Sequence, residues 1–119
     1  MMQKKNALMD LSFEFALEII EYSELLEEKK RFVISNQVLK SGTSIGANVR
    51  EAQSSESLAD FIHKLKVVEK EAVETEYWLD LCKHSKNYPD PEFLYDKLLQ
   101  IKKLLSTILA TSISKLSNH

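Results

Sequence analysis

The sequence predicts an all-α protein, an antiparallel up-down-up-down four-helix bundle. Three observations carry that prediction. Apolar residues recur at alternating steps of three and four through four long segments, the period of one helix face. The 119 residues include only two glycines and two prolines, which leaves few places to turn and disfavours many short strands. The breaks between the periodic segments are short and polar, at 27–31, 54–57 and 87–92, as expected of neighbouring helices that run antiparallel. A chain of this length buries one core, so residues 1–119 are read as a single domain with helices over about 8–27, 32–53, 57–86 and 91–116.

The first helix follows a few residues expected to fray. Its apolar line is Leu8, Leu11, Phe15, Ile19, Tyr22 and Leu26. Asp10, Glu14, Glu18 and Glu21 recur at the same step on another face. This acidic stripe is a solvated face or a surface for a basic partner.

The second helix passes straight through both glycines. Ile34, Val38, Ser41, Ile45, Asn48 and Ala52 step 4, 3, 4, 3, 4, a seam of coiled-coil type. Beside it run Ser35, Leu39, Gly42, Gly46, Val49 and Gln53. Each glycine in a helix costs about 1 kcal/mol relative to Ala. The unbroken seam predicts that close approach of another backbone offsets this, with Gly42 and Gly46 as packing or assembly positions together with Asn48 and Glu51.

In the third helix Ser57 stands three residues before Asp60, the spacing of a capping box with Asp in place of Glu. The core line is Phe61, Leu65, Val68, Ala72, Thr75, Leu79 and Cys82. The fourth helix follows a turn in which Asp90 is the expected N-cap and Pro91 the first helical residue. Its line is Leu94, Leu98, Ile101, Leu105, Ile108, Ser112 and Leu116. Residues 104–114 carry no charge, whereas a solvent-facing helix normally shows charge on every turn. The stretch is read as a subunit contact, the alternative being a bland, uncharged surface.

Most chemistry is excluded by pattern. Gly42-x-x-x-Gly46 lacks the spacing, the lysine and the strand of a phosphate loop. A di-iron bundle needs matched carboxylate and Glu-x-x-His ligands on facing helices, and this chain offers only Asp60-x-x-His63. Cys82, the sole cysteine, lies on a core line and forms no intrachain disulfide. Neither Arg31 nor Arg50 is followed by the closely spaced His of some small helical ribonucleases. No catalytic residue, metal site, cofactor or small-molecule substrate is expected. Ser41, Ser44, Asn48, Glu51 and Gln53 are left to form a hydrogen-bond network to the third helix, with Glu71, Glu74 and Thr75 as partners, or one across a subunit boundary. The alternative is that they line a small polar cavity or channel.

Sixteen basic residues against eighteen acidic ones give a net charge of −2, so there is no global drive toward nucleic acid or anionic membrane. With no secretory signal and no run long and apolar enough for a membrane span, a cytoplasmic location is expected. The candidate nucleic-acid contacts are Lys29, Lys30, Arg31, Lys40, Arg50, Lys64, Lys66 and Lys70.

Ser41-Gly42-Thr43-Ser44-Ile45-Gly46-Ala47-Asn48-Val49, with Glu51-Ala52, Ala59-Asp60-Phe61-Ile62, Lys64-Leu65, Lys70-Glu71-Ala72, Glu74-Thr75 and Tyr77-Trp78-Leu79, resembles the bacterial 23S rRNA intervening-sequence proteins. Phe15-Ala16 and Gln37 fit the same pattern, and the resemblance runs over about residues 8–115. It implies an antiparallel four-helix bundle assembled as a ring-like homopentamer, with ribosomal RNA or a ribonucleoprotein nearby and no catalytic residues to carry over. The family is also similar to the accessory protein of diversity-generating retroelements, a pentameric bundle that binds a reverse transcriptase and nucleic acid. Those proteins are strongly basic, and this chain is not.

Overall fold

A computed structural model describes residues 6–118. It contains four helices, α1 (Ala7–Glu28), α2 (Phe32–Ala52), α3 (Leu58–His84) and α4 (Glu92–Ser117), and no strand among the described residues. Each helix packs on the next and α4 returns to α1, with no direct diagonal packing. The expected fraying falls on residues 1–5, which lie outside the described range, and on Asn6 and Ala7, where it is not found. Asn6 accepts a hydrogen bond from the Met9 amide at 3.1 Å and caps a helix that begins at Ala7, as short polar side chains do at that position.

The chain direction follows from pairs of named contacts. On the α1–α2 side, Ser23 meets Ser35, Ile19 meets Gly42, Ser12 meets Gly46 and Asn6 meets Gln53. On the α3–α4 side, Lys83 meets Glu92, Asp80 meets Tyr95 and Glu76 meets Lys102. In each series one number falls as the other rises, so both pairs are antiparallel. Lys97 of α4 bridges Glu14 at 3.2 Å and Glu18 at 3.3 Å on α1, which sets the register of the remaining side. These carboxylates were expected to belong to a solvated stripe or to a basic partner. They hold α4 instead.

The core lies between all four helices. Phe15, Ile19, Tyr22, Leu26, Leu65, Leu79, Leu94, Leu98, Ile101 and Leu105 are its largest buried side chains, with Val38 and Ile45 from α2. Every seam differs from expectation at some position: in α1 Ser12 is buried and Leu11 half-buried, and in α3 Phe61 is half-buried. In α2 the buried line is Ser35, Val38, Ser41, Gly42, Ile45, Val49 and Ala52, so Ile34 and Asn48 sit half-buried at its flanks. In α4 Leu109 is buried while Ile108 is only half-buried, and Leu116 is exposed. A straight helix drifts about 20° per heptad from a 3.5-residue repeat, which rotates a strict seam off the core. The Lys97 register adds a second reason in α4, since it carries the last turns past the start of α1.

Helix ends shift by one or two residues. Ser57 caps α3 by accepting from the Asp60 amide at 3.0 Å. The returning carboxylate bond goes to the Glu56 amide at 3.1 Å rather than to Ser57. That bond first, and the Lys64 ammonium second, hold the Asp60 carboxyl below its usual range. α4 begins at Glu92 with Pro91 outside the helix, yet Asp90 still accepts from the Glu92 amide at 3.0 Å. α3 ends at His84, two residues before the expected 86.

The glycines of α2 face α1. A Cβ built on Gly42 would stand 2.7 Å from Ile19 Cγ1, and Ile19 is fully buried with nowhere to move. A Cβ on Gly46 would stand 3.1 Å from the backbone oxygen of Ser12. Gly46 is therefore where two backbones approach closely, and Gly42 is the hollow filled by Ile19.

Two stability predictions follow from this packing. Gly42→Ala gains helix propensity but overpacks Ile19, so urea unfolding is expected to show a net loss of about 1–3 kcal/mol. Gly46→Ala needs a shift of only a few tenths of an ångström and is expected within about 1 kcal/mol of wild type, its propensity gain offsetting the squeeze. Either residue changed to Leu is expected to disrupt the bundle, whereas a ligand loop here would tolerate the change. The second prediction concerns Tyr22, whose hydroxyl donates to Pro89 O at 2.6 Å and ties the α3–α4 turn to α1. Tyr22→Phe leaves that carbonyl unbonded and is expected to cost about 1 kcal/mol. Burial pushes the Tyr22 hydroxyl far above its ordinary range. The folded state thus holds this proton more tightly than the unfolded chain. Its contribution is fully present below about pH 10 and is lost as pH rises beyond that. Stability measured between pH 9 and 11 should fall less steeply for Tyr22→Phe than for wild type.

Candidate assembly and nucleic-acid surfaces

Ser35 reaches across to Ser23 O on α1 and Gln53 accepts from Asn6, but the other donors of this polar group turn back onto α2 itself. Ser41 donates to Gln37 O at 3.0 Å and Ser44 to Lys40 O at 2.6 Å. Asn48 donates to Ser44 O at 2.8 Å and Gln53 to Val49 O at 3.0 Å. Thr75 on α3 likewise bonds Glu71 O at 2.7 Å, and the Trp78 indole donates to Glu74 at 3.2 Å. The expected network from Ser41, Ser44 and Asn48 to Glu71, Glu74 and Thr75 is not made among the described residues. Short hydroxyl and amide side chains on a helix reach the carbonyl one turn back more readily than a neighbouring helix. Glu51 is exposed, and Glu71 is half-buried on α3. Burial, followed by the neighbouring Glu74, raises the Glu71 carboxyl above its usual range, and the nearby Lys40 opposes this.

The eight candidate cations do not form one patch. Lys29, Lys30 and Arg31 lie in the α1–α2 turn, where Lys30 takes a positive φ of 63°. Arg50 lies at the opposite end of α2, about 30 Å away at 1.5 Å per residue. Lys64 is paired with Asp60 at 3.1 Å and Lys66 with Glu69 at 3.7 Å on the surface of α3. Lys40 and Lys70 are exposed at intermediate height. The turn cluster gains two neighbours that the sequence pattern did not single out. The α3–α4 turn lies at the same end, because Arg31 stacks on the Tyr88 ring at 4.8 Å. That turn brings Lys83 and Lys86, although Lys83 is paired with Glu92 at 3.3 Å.

Exposed apolar side chains were the larger omission. Phe13 (53% exposed), Leu17 (50%) and Ile20 (40%) form an outward line on α1. They recur at steps of four and three on the face away from the core line, interleaved with the acidic residues that drew attention instead. Beside them is a groove of about 320 Å³ between α1 and α2, floored by Ala16, Gly46 and Ala47 and edged by Phe13, Thr43 and Arg50. The Arg50 guanidinium lies 6.0 Å from the Phe13 ring centre. The absence of side chain at Gly46 that permits the backbone approach also opens this groove. A second groove, of about 290 Å³, lies between α3 and α4 over Ala72 and Leu105. Next to it stand Val73 (58% exposed) and Tyr77 (57%) on α3, and Leu99 (50%) and Ile113 (41%) on α4. In the charge-free part of α4, Leu105, Leu109 and Ser112 turn inward while Ser106, Ala110 and Ile113 face out.

Other reactive groups stay apart. Cys82 is buried beside Tyr22, and burial raises its thiol above the ordinary range. His63 is exposed on α3. No cluster of three or more His, Cys, Asp or Glu able to hold a metal occurs among the described residues. No described helix is long and apolar enough to cross a membrane.

Comparison with known proteins agrees with this architecture. A solved structure from Bacteroides thetaiotaomicron VPI-5482, a protein of unknown function from the S23 ribosomal protein family, is 47% identical to this chain. It superimposes with a TM-score of 0.80, covering 86% of this chain and 97% of that one. No curated protein matches. The family described as 23S rRNA-intervening sequence protein matches residues 4–107, a span that includes the glycine face of α2 and both grooves. The four-helix architecture and this match over most of the chain make the protein a member of the 23S rRNA-intervening sequence protein family.

Proposed function

We propose that the protein is a non-enzymatic, homo-oligomeric scaffold or adaptor that assembles as a ring-like homopentamer. It works in the cytoplasm, beside ribosomal RNA or a ribonucleoprotein. The observation that carries this reading is the amount of apolar surface left outside the core. A monomeric bundle shows polar outer faces on its helices. Here α1 exposes Phe13, Leu17 and Ile20 and α3 exposes Val73, Tyr77 and Leu81 in lines at helical spacing, and α4 adds Leu99 and Ile113; apolar patches of that kind mark interaction surfaces. The RNA setting is supported by the family the chain belongs to. Light scattering on the purified protein is expected to give five times the 13.7 kDa monomer mass. A monomer at micromolar concentration overturns the reading.

A second reading, direct RNA or DNA binding, is favoured by Lys29, Lys30, Arg31, Lys83 and Lys86 at one end of the bundle. A ring of parallel copies brings five such ends onto one rim. Each phosphate contact releases counterions, so binding must weaken steeply with salt. Filter binding to ribosomal RNA is expected to show a steep loss between 50 and 200 mM salt, in the range typical of phosphate-contacting proteins. Lys29→Gln with Lys30→Gln should flatten that slope. Binding that ignores both salt and the double change removes this reading and leaves the scaffold intact.

A further inference from the structure

The two exposed apolar strips lie back to back across the bundle. One follows α1 and α2, the other α3 and α4, and in a four-membered cycle of helices these pairs occupy opposite sides. We propose that the α1–α2 strip of one copy receives the α3–α4 strip of a second copy, so that subunits join head to tail. The inference rests on the self-assembly proposed above and adds which faces meet.

Shape supports the pairing. The α1–α2 strip has a hollow over Gly46 and Ala47 beside a ridge of Phe13 and Leu17. The α3–α4 strip has a hollow over Ala72 and Leu105 beside a ridge of Val73 and Tyr77. The two hollows have volumes of about 320 and 290 Å³, so each strip offers both a hollow and an apolar ridge to the other.

Charge selects the same pairing. Asp10, Glu21 and Glu24 edge the exposed line of α1, and none is in an ion pair among the described residues. Lys70 and Lys103 edge the other strip, also outside any such pair. Arg50 at the edge of the α1–α2 groove offsets one of these three carboxylates, so the strip stays net negative; two such strips placed together would repel, and like net charges at a contact select against that partner. The unlike strips bring opposite charges together around an apolar centre. A head-to-tail contact leaves one strip open at each end of a growing chain, so it continues until a ring closes.

A mixing experiment tests this. Leu17→Glu spoils only the α1–α2 strip, and Leu99→Glu only the α3–α4 strip. Both positions are half-exposed, and circular dichroism checks that each variant keeps its helices. Ala47→Glu, at an exposed site, replaces Leu17→Glu if that variant unfolds. Each variant alone is expected to run as a monomer in light scattering. An equimolar mixture is expected to form a dimer with one copy of each, because each supplies the strip that the other lacks. If wild type is a monomer, the self-assembly reading fails, and this inference with it. If wild type is oligomeric and both variants keep its size, the faces are wrong while self-assembly stands. If either variant dimerises with itself, the contact pairs like strips and the head-to-tail arrangement is overturned.

Discussion

The packing of the thin face of α2 against α1 governs much of the rest. Gly42 makes room for the buried side chain of Ile19, and Gly46 lets the backbone at Ser12 approach to near contact. Neither glycine takes a positive φ, so their use here is steric and not conformational. The close approach draws α1 and α2 together at Gly46, and Ser35 donates across the same pair to Ser23 O at 2.9 Å. It also leaves a shallow groove on the outside, where larger residues would have filled the seam. One missing side chain therefore serves the core on its inner edge and opens a surface on its outer edge.

The polar residues near that seam act on the helix itself. Ser41, Ser44, Asn48 and Gln53 bond carbonyls four residues back, which satisfies them without a neighbouring helix. This frees the α2–α3 contact to pack on Val38, Ile45, Leu65 and Val68. Apart from Ser35 to Ser23 O and Asn6 to Gln53 on the α1–α2 side, ties between elements come from long side chains: Lys97 to Glu14 and Glu18, Lys102 to Glu76, Tyr95 to Asp80 and Tyr22 to Pro89. Three of these hold α4 to its neighbours, and Tyr22 holds the turn before it. That matters because α4 has the thinnest contact with the rest of the bundle and carries the charge-free surface.

The same organisation leaves apolar lines, edged by charge, on the sides of the bundle. Apolar lines occupy the outward faces of the α1–α2 and α3–α4 pairs, while a turn-borne group of Lys and Arg occupies one end. Apolar lines of this kind on an outward face are the patches that mark interaction surfaces. Here the cysteine is a core residue, and the two grooves are lined mainly by small and apolar side chains.

Four helices, their approximate ends and the helical state of the glycine stretch were legible because they depend on local periodicity, caps and turn residues. Phe15, Ile19, Leu65, Leu79 and Leu98 were placed in the core by spacing alone, since any helix with such a stripe must bury it. The position of Asn48 at a flank, the burial of Val49 and the exchange of Ile108 for Leu109 were not legible. They depend on how far each helix is rotated against two neighbours, and a one-residue step of 100° decides that. Phe13, Leu17 and Ile20 were missed for a related reason, because an apolar residue among charges has no assigned side until the core line is fixed. Salt bridges such as Lys97 to Glu14, 83 residues apart, exist only once α4 has returned to α1. The sequence by itself determined that this chain forms helices and which faces are apolar enough to bury, because those are properties of neighbouring residues. Only the tertiary structure decided which apolar faces remain outside, because burial is shared among four helices and the core takes one face from each.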